Sequence, residues 1–348
     1  MKTPFFKDKT VLVTGGTGTF GHAFVTKMLE MPIDKLIVFS RDEFKQSEMR
    51  RAFGNNERLR FFIGDVRDRE RLVRAFQDVD IVVHAAALKQ VPATEYNPTE
   101  AIKTNVIGTQ NVIEAALDAG VSRVVTISSD KAVHPVNLYG ATKLCAEKIT
   151  VAANVYRRSS ADKPRLSVVR YGNILGSRGS LLELIEKQRA SGTVTLTDKR
   201  MTRFWMRIEK VMERVIEAIE IMRGGEIFVP KMESLKVVDV IECVAKECEI
   251  KVIGIRPGEK IHEVLITEHE APRTIDIGDM YAILPEQPLF DNEKQLSGKS
   301  VARDFIYRSD HPDFLRSAKD ASRILSISST ISLARSRQSR RRAARHGR

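Results

Sequence analysis

The chain has 348 residues, 42% of them apolar, which suits one large or two modest buried cores and excludes a wholly disordered polypeptide. Lys and Arg exceed Asp and Glu by 12, but seven arginines and no acid fall in 331–348; 12 less 7 leaves only +5 elsewhere, a balance that suits a nucleotide ligand without demanding nucleic acid. Cys145, Cys243 and Cys248 are too few for a disulfide framework, and no apolar run approaches the roughly 18 residues of a membrane span, so a soluble, cytoplasmic chain without a leader peptide is expected.

Short β-rich runs alternate with amphipathic stretches through the first half. The first predicted strand, 10–14 (TVLVT), runs into Gly15, Gly16, Thr17, Gly18, Thr19, Phe20 and Gly21. Gly16, Gly18 and Gly21 have the G-x-G-x-x-G spacing. Between a strand and a predicted helix (HAFVTKMLEM), such a turn lets backbone approach a pyrophosphate and offers it helix N-terminal N–H groups. Without that context it is only a glycine-rich turn. The second strand, 35–40 (KLIVFS), ends at Ser40 and Arg41. An NAD binder usually has an acid here for the ribose hydroxyls. Arg41, with Lys45 in the next helix, suits a 2′-phosphate and favours NADP; Asp42 and Glu43 follow closely, and a shift of register would favour NAD. After the third strand, 59–63 (LRFFI), Asp65 and Val66 stand where an adenine contact is expected, although Asp65 suits a helix cap equally well. The fourth strand, 80–86 (DIVVHAA), ends in Ala85, Ala86 and Ala87, small enough for a flat cofactor or for tight helix–sheet packing. A long helix is predicted over 99–119.

The fifth strand, 123–128 (RVVTIS), delivers Ser129, Asp130 and Lys131 to the carboxyl edge of the sheet, where open parallel sheets bind ligands. Tyr139 and Lys143 are four apart on the following helix and share a face. A cationic Lys143 near Tyr139 favours the phenolate and lowers its pKa, so that the tyrosine can take an alcohol proton while hydride leaves for a nicotinamide. Away from this setting, Tyr-x-x-x-Lys is a chance match and Asp-Lys an ordinary surface ion pair. RLSVVRYGN (165–173) makes a sixth strand. Helices are expected near 180–190, 208–223 and 236–248, with strands at EIFVP and KVIGI. Cys243 and Cys248 are expected in apolar packing, with no metal site.

This pattern predicts an α/β, doubly wound parallel sheet. Residues 1–172 form the expected NADP-binding Rossmann domain and 173–330 an interwoven substrate domain. The arginine-rich tail, 331–348, lacks the apolar residues to fold and is expected to be disordered.

GGTGTFG, GDVRD, HAAALK, NVIGT, SSDKA and YGATK together resemble the extended short-chain dehydrogenase/reductases. More narrowly, SRDE, RFFIGDVRD, HAAALKQVPATEYNP, NLYGATKLCAEK, VVRYGNILGSRGS, MTRFW, GGEIFVPK and IGIRPGEKIHEV resemble the inverting UDP-N-acetylglucosamine 4,6-dehydratases, over about residues 3 to 284. The resemblance implies that Tyr139 takes the 4-OH proton as hydride moves from C4 to NADP. Lys131 then removes the C5 proton, and Asp130 protonates the departing 6-OH. Hydride returns to C6, and reprotonation of C5 on its other face inverts the centre. Retaining 4,6-dehydratases resemble one another in having Asp-Glu at this point, and epimerases usually lack the charged pair. The resemblance also places Ser129 against substrate or Tyr139, Asn105 in support of the active-site lysine, and Lys89 near substrate. Asn173, Arg178, Arg203, Arg256 and Glu259 would hold the sugar and UDP. His134 and His262 are expected in loop and packing roles. A homo-oligomer, in size a hexamer, and a place in pseudaminic acid, capsule or O-antigen sugar synthesis are implied as well. The rival readings are a UDP-sugar 4-epimerase and a non-catalytic NADP-binding regulator that uses its tail on nucleic acid.

Overall fold

A computed structural model describes residues 4–156, 164–177, 179–286 and 296–325. The β-rich runs form β1 (Thr10–Thr14), β2 (Lys35–Ser40), β3 (Leu59–Ile63), β4 (Ile81–His84), β5 (Arg123–Ser129) and β6 (Arg165–Tyr171). They lie in the order β3-β2-β1-β4-β5-β6, every pair parallel. This is a doubly wound dinucleotide-binding order, with its reversal between β1 and β4. Strand Ile227–Pro230 continues it in parallel beside β6, and Met280–Ile283, Thr274–Asp276 and Lys299–Ser300 add an antiparallel margin. Helices cover both faces of a parallel sheet, so β1 and β4 are buried at every residue; that is why they read as unbroken apolar runs.

The helices that matter for the site are α1 (Thr19–Met28), α2 (Glu43–Ala52), α3 (Arg69–Ala75), α4 (Val91–Tyr96), α5 (Pro98–Ile102), α6 (Gly108–Asp118) and α7 (Leu138–Ala152). Leu12, Phe39, Val82, Val124 and Leu166 from the strands meet Leu72, Val112 and Ala116 from the helices, and Phe76 just after α3, in one apolar core. The expected helix at 99–119 is α5 and α6 joined by a π-helical stretch, Lys103–Ile107. β4 ends two residues earlier than expected, because the N–H groups of Ala85 and Ala86 turn to Thr14 Oγ1 instead of the ladder.

The chain divides into two compact units. The first comprises the described residues of Met1–Tyr171, Met212–Lys231 and Val264–Tyr307; the second those of Gly172–Val211, Met232–Glu263 and Arg308–Arg348. The first division falls after Tyr171, and the two later segments return to the first unit because their strands extend its sheet. In the second unit, Glu233–Lys236, Thr202–Arg207 and Asn173–Leu175 form one small sheet, and Glu249–Val252 pairs with Thr193–Leu196. Trp205, Leu235, Ile241 and Leu325 belong to its own core.

The helix expected over 236–248 is Val237–Val244. It turns Val237, Val240 and Ile241 inward and leaves Cys243 exposed, so the expectation of apolar packing fails for Cys243; Cys248, beyond the helix, is half-buried against the apolar core. Among the described residues no three His, Cys, Asp or Glu gather as metal ligands, and no helix is long and apolar enough to cross a membrane. Arg178 and the tail 331–348 lie outside the described residues.

Candidate active site

β1 delivers the chain to Gly15, whose φ is +66°. A Cβ here would stand 2.9 Å from the Ala86 backbone, so only glycine lets this turn pass the end of β4. α1 then begins at the N-cap Gly18 with no side-chain cap and no acid in its first turn. That leaves the positive end of the helix dipole, with Thr19, Phe20 and Gly21 in its first turn, open to an anion. The adjoining pocket is lined by Gly15, Thr17, Ser40, Arg41, Lys45, Asp65, Val66 and Ala86, all expected, and by Phe39, Asp42, Gly64, Ala87 and Thr104. Gly18, Thr19, Phe20, Gly21 and Ala85 flank it without lining it. Phe39, Gly64 and Thr104 carried no sequence signal. The Oγ1 of Thr104 is buried and has no hydrogen-bond partner among the described residues, so a polar atom waits at the pocket wall.

Asp42 caps α2: its Oδ1 accepts from Lys45 N at 3.0 Å and its Oδ2 lies 2.6 Å from Lys45 Nζ, contacts that hold its carboxyl below the usual range. Ser40 Oγ accepts from Gln46 Nε2 at 3.0 Å. Arg41 remains half-exposed at the pocket, 3.4 Å from Asp65. Asp65 is not the cap of α3, a role taken by Asp68; it accepts instead from Arg67 N and from the Arg67 guanidinium at 2.6 Å.

The expected catalytic residues gather at the carboxyl end of β5. A short 3₁₀ turn, Asp130–Ala132, follows Ser129. Ser129 Oγ donates to Asp130 Oδ1 at 2.8 Å and lies within hydrogen-bonding reach of Tyr139. Lys131 Nζ donates to the same Oδ1 at 2.9 Å; the side chains are 1% exposed for Asp130 and 27% for Lys131. An ordinary surface pair would expose both charges. α7 sits directly on this turn. A Cβ on Gly140 would stand 2.2 Å from Lys131 O, so the missing side chain is what lets Tyr139 come alongside Asp130 and Lys131. Asn137 caps α7 through Gly140 N, and Glu95 accepts from Leu138 N at 2.6 Å.

Burial pushes the Tyr139 phenol above its ordinary value, and the cation that opposes this is Lys131. The buried Lys143, expected to lower it, turns its Nζ to Ile127 O at 2.5 Å. Burial pulls Lys143 down to about 8, against the upward pull of Glu147. Asn105 sits in the π-helical stretch. Its carboxamide is spent on both backbone groups of Leu88, at 2.8 Å each, and on Thr142 Oγ1 at 3.0 Å. It braces α7 beside Lys143 instead of reaching the lysine.

Sequence reasoning passed over two buried groups. His84 bridges Thr14 Oγ1 and Thr109 Oγ1 at 2.8 and 3.0 Å. Thr109 donates to Asn105 O, so it accepts from His84 Nε2–H, and Nδ1 then accepts from Thr14. Burial, with Lys143 nearby, drives this imidazole down to about 3, so it is neutral. Glu147, Arg170 and Glu270 are joined behind α7. The spacing of Lys143 and Glu147, four apart, was the only signal for the second group.

The residues expected for the sugar nucleotide are placed as follows. Lys89 is exposed in the loop after β4. Asn173, Arg203, Arg256 and Glu259 belong to the second unit. Asn173 opens a strand. Arg203 gives its guanidinium to the carbonyls of Thr202, Lys260 and Ile261 at 2.7 to 2.9 Å, so it holds backbone and is not free for phosphate, contrary to expectation. Arg256 is exposed on a tight turn that Glu259 closes, Glu259 N donating to Arg256 O at 3.1 Å and Arg256 N to Glu259 Oε2 at 3.3 Å. His134 is exposed in a loop, and His262 bonds Thr202 at 2.9 Å.

The model of a polysaccharide biosynthesis protein family matches residues 11–285. The chain is 46% identical over 316 residues to a Campylobacter jejuni (strain 81-176) protein named UDP-N-acetylglucosamine 4,6-dehydratase (inverting), covering 88% of this chain and 94% of that one. It is 42% identical over 291 residues, 80% of this chain and 83% of the other, to a Rickettsia conorii protein named UDP-glucose 4-epimerase. Among solved structures, Pen from Bacillus thuringiensis superposes with a TM-score of 0.84 at 38% identity, over 92% of this chain and 98% of that one. DesIV, a dTDP-glucose 4,6-dehydratase from Streptomyces venezuelae with NAD and TYD bound, gives 0.65 at 25% identity, over 72% and 86%.

Proposed function

From the premise that the chain belongs to the polysaccharide biosynthesis protein family, matched over most of its length, we propose that it is an NADP-dependent UDP-N-acetylglucosamine 4,6-dehydratase that inverts C5. It is read as a lyase with product UDP-2-acetamido-2,6-dideoxy-β-L-arabino-hexos-4-ulose. The observation that carries this reading is the pair Asp130 and Lys131, 2.9 Å apart with the acid buried, set against the turn that holds Tyr139. Neither hydride transfer nor epimerisation needs such a pair; elimination of water does.

A nicotinamide dinucleotide fits the pocket on three observations: the uncapped start of α1, the close Gly15 turn, and the unpartnered Thr104 hydroxyl. Arg41 and Lys45, with Asp42 spent on its cap, support a 2′-phosphate and hence NADP. When bound, that cofactor would supply the hydride acceptor for C4 and the hydride donor for C6.

Tyr139 accepts the 4-OH proton, and Lys143 keeps positive charge near the phenolate that must act. The ketone at C4 acidifies C5. Lys131, neutral when it acts, takes the C5 proton, and Asp130, protonated when it acts, gives its proton to the departing 6-OH. A proton returned to C5 on the opposite face completes the inversion, and the balance is loss of one water. Asn173, Arg256 and Glu259 are read as contacts to the sugar nucleotide.

Turnover of UDP-N-acetylglucosamine in D₂O, followed by proton NMR, tests this. Loss of the 6-hydroxyl with deuterium at C5 is expected. An unchanged C6 with inverted C4 would replace it with the 4-epimerase reading, which the name of the Rickettsia relative favours.

A further inference from the structure

We infer that Glu147, Arg170 and Glu270 form a buried ionic chain that positions Lys143 and fixes the strand end from which Asp130 and Lys131 depart. Glu147 and Glu270 are thus positioning residues that touch neither substrate nor cofactor. The inference rests on the proposed role of Lys143 as a working cation.

Glu147 follows Lys143 by one turn of α7 and is 1% exposed. Its Oε1 accepts from Ser128 Oγ at 2.6 Å and from Arg170 Nε at 2.9 Å; its Oε2 accepts from Arg170 Nη2 at 2.6 Å. Arg170 stands on β6 directly opposite Ser128 in the sheet register. Its Nη1 donates to Leu265 O at 2.8 Å and to Glu270 Oε2 at 3.2 Å, and its Nη2 to Glu270 Oε1 at 3.0 Å. Every guanidinium N–H is therefore used. Glu270 is held in turn by Thr267 N at 3.0 Å.

Two features favour a role beyond stability. A buried ion pair can often be replaced by apolar packing without loss, so its presence argues weakly for stability. This one grips the last residues of β5 and β6, at the edge where Ser129, Asp130 and Lys131 leave the sheet. α7 also holds that edge a second time, through Lys143 to Ile127 O. Charges alternate along the array: Lys143, Glu147, Arg170, Glu270. It is neutral overall only while Lys143 keeps its proton.

The other groups around Lys143 do not replace Glu147. Neutral His84 faces it from β4, and Tyr139 shares its helix. Asp130 and Lys131 act on Tyr139, and Tyr171 of β6 faces that same phenol. Removing the Glu147 charge takes away the carboxylate that raises Lys143 and leaves Arg170 balanced by Glu270 alone, so the Lys143 ammonium gives up its proton at lower pH. Removing the Glu270 charge acts in the same direction through Arg170, more weakly.

The test reads Lys143 directly, by ¹³Cε-lysine NMR titration of the full chain, with the signal identified by its loss in Lys143→Met. A midpoint near 8 is expected in the native protein. Glu147→Gln should lower it by about one unit, Glu270→Gln by less, and Glu147→Asp should restore most of the shift. The alkaline limb of kcat/KM should move in step. A Lys143 midpoint unmoved in both Gln variants overturns the inference. Should Glu147→Gln fail to fold, Glu270→Gln at the accessible end of the chain decides by the same criterion. The titration needs no turnover, so a native protein that releases no water sinks the dehydratase reading while this test still gives its answer.

Discussion

Asp130 and Lys131 share one hydrogen bond and divide two jobs, which makes them separable by mutation. Asp130→Asn keeps the base but cannot protonate the leaving hydroxyl. It is expected to retain C5 deuterium exchange while product formation falls about 10²- to 10⁴-fold, read by NMR in D₂O. Equal loss of both signals would argue against the division. His84 gives a different residue-scale prediction. Its folded value is about 3, against 6.5 unfolded, so below pH 6.5 the unfolded chain binds the extra proton. The stability that neutral His84 contributes is complete above pH 6.5 and lost as pH falls toward 3, by on the order of 4 kcal/mol. His84→Asn should be less stable at pH 7 yet lose less between pH 6.5 and 3. Melting temperature measured across that range gives the slope.

At the level of elements, the site depends on how α7 meets the turn after β5. Gly140 lies 2.2 Å, by its absent Cβ, from the Lys131 carbonyl, and that carbonyl is backbone, so it cannot rotate away. Gly140→Ala must push α7 and the Asp130–Ala132 turn apart. A shift of this size at reacting groups costs on the order of 10²-fold in rate. kcat is expected to fall by about that factor while cofactor affinity changes little, because Gly140 does not line the pocket at β1 and β2. Steady-state kinetics with fluorescence titration of NADPH separate the two effects. The π-helical stretch works on the same helix from the other side. It turns Asn105 toward Leu88 and Thr142 and Thr104 toward the cofactor pocket, consistent with the concentration of such bulges at functional sites.

For the whole molecule, ligand linkage offers a measurement that needs no catalysis. A ligand that binds only the folded chain, at 100 times its Kd, adds about 2.7 kcal/mol. NADP⁺ is expected to raise the melting temperature by a few degrees and NAD⁺ at equal concentration by less. The opposite order would return the cofactor preference to NAD and recast Arg41 as a partner of Asp65 alone. The sequence by itself determined the parallel sheet and which residues gather at its edge. A doubly covered strand must be apolar at every position, and a phosphate-binding turn needs glycines at fixed spacing, so both are written locally. It also placed Asp130, Lys131, Tyr139 and Lys143, because one strand end and one helix turn carry all four. Only the tertiary structure decided what those side chains face. Tyr139 comes alongside Lys131 while Lys143 turns to Ile127 O; Arg203 is spent on carbonyls; Cys243 points outward. Glu147, Arg170 and Glu270 meet across 123 residues of sequence, and His84 finds its threonines 25 and 70 residues away. Such partners are set by strand order and register, where positions remote in sequence become neighbours, and no local pattern records them.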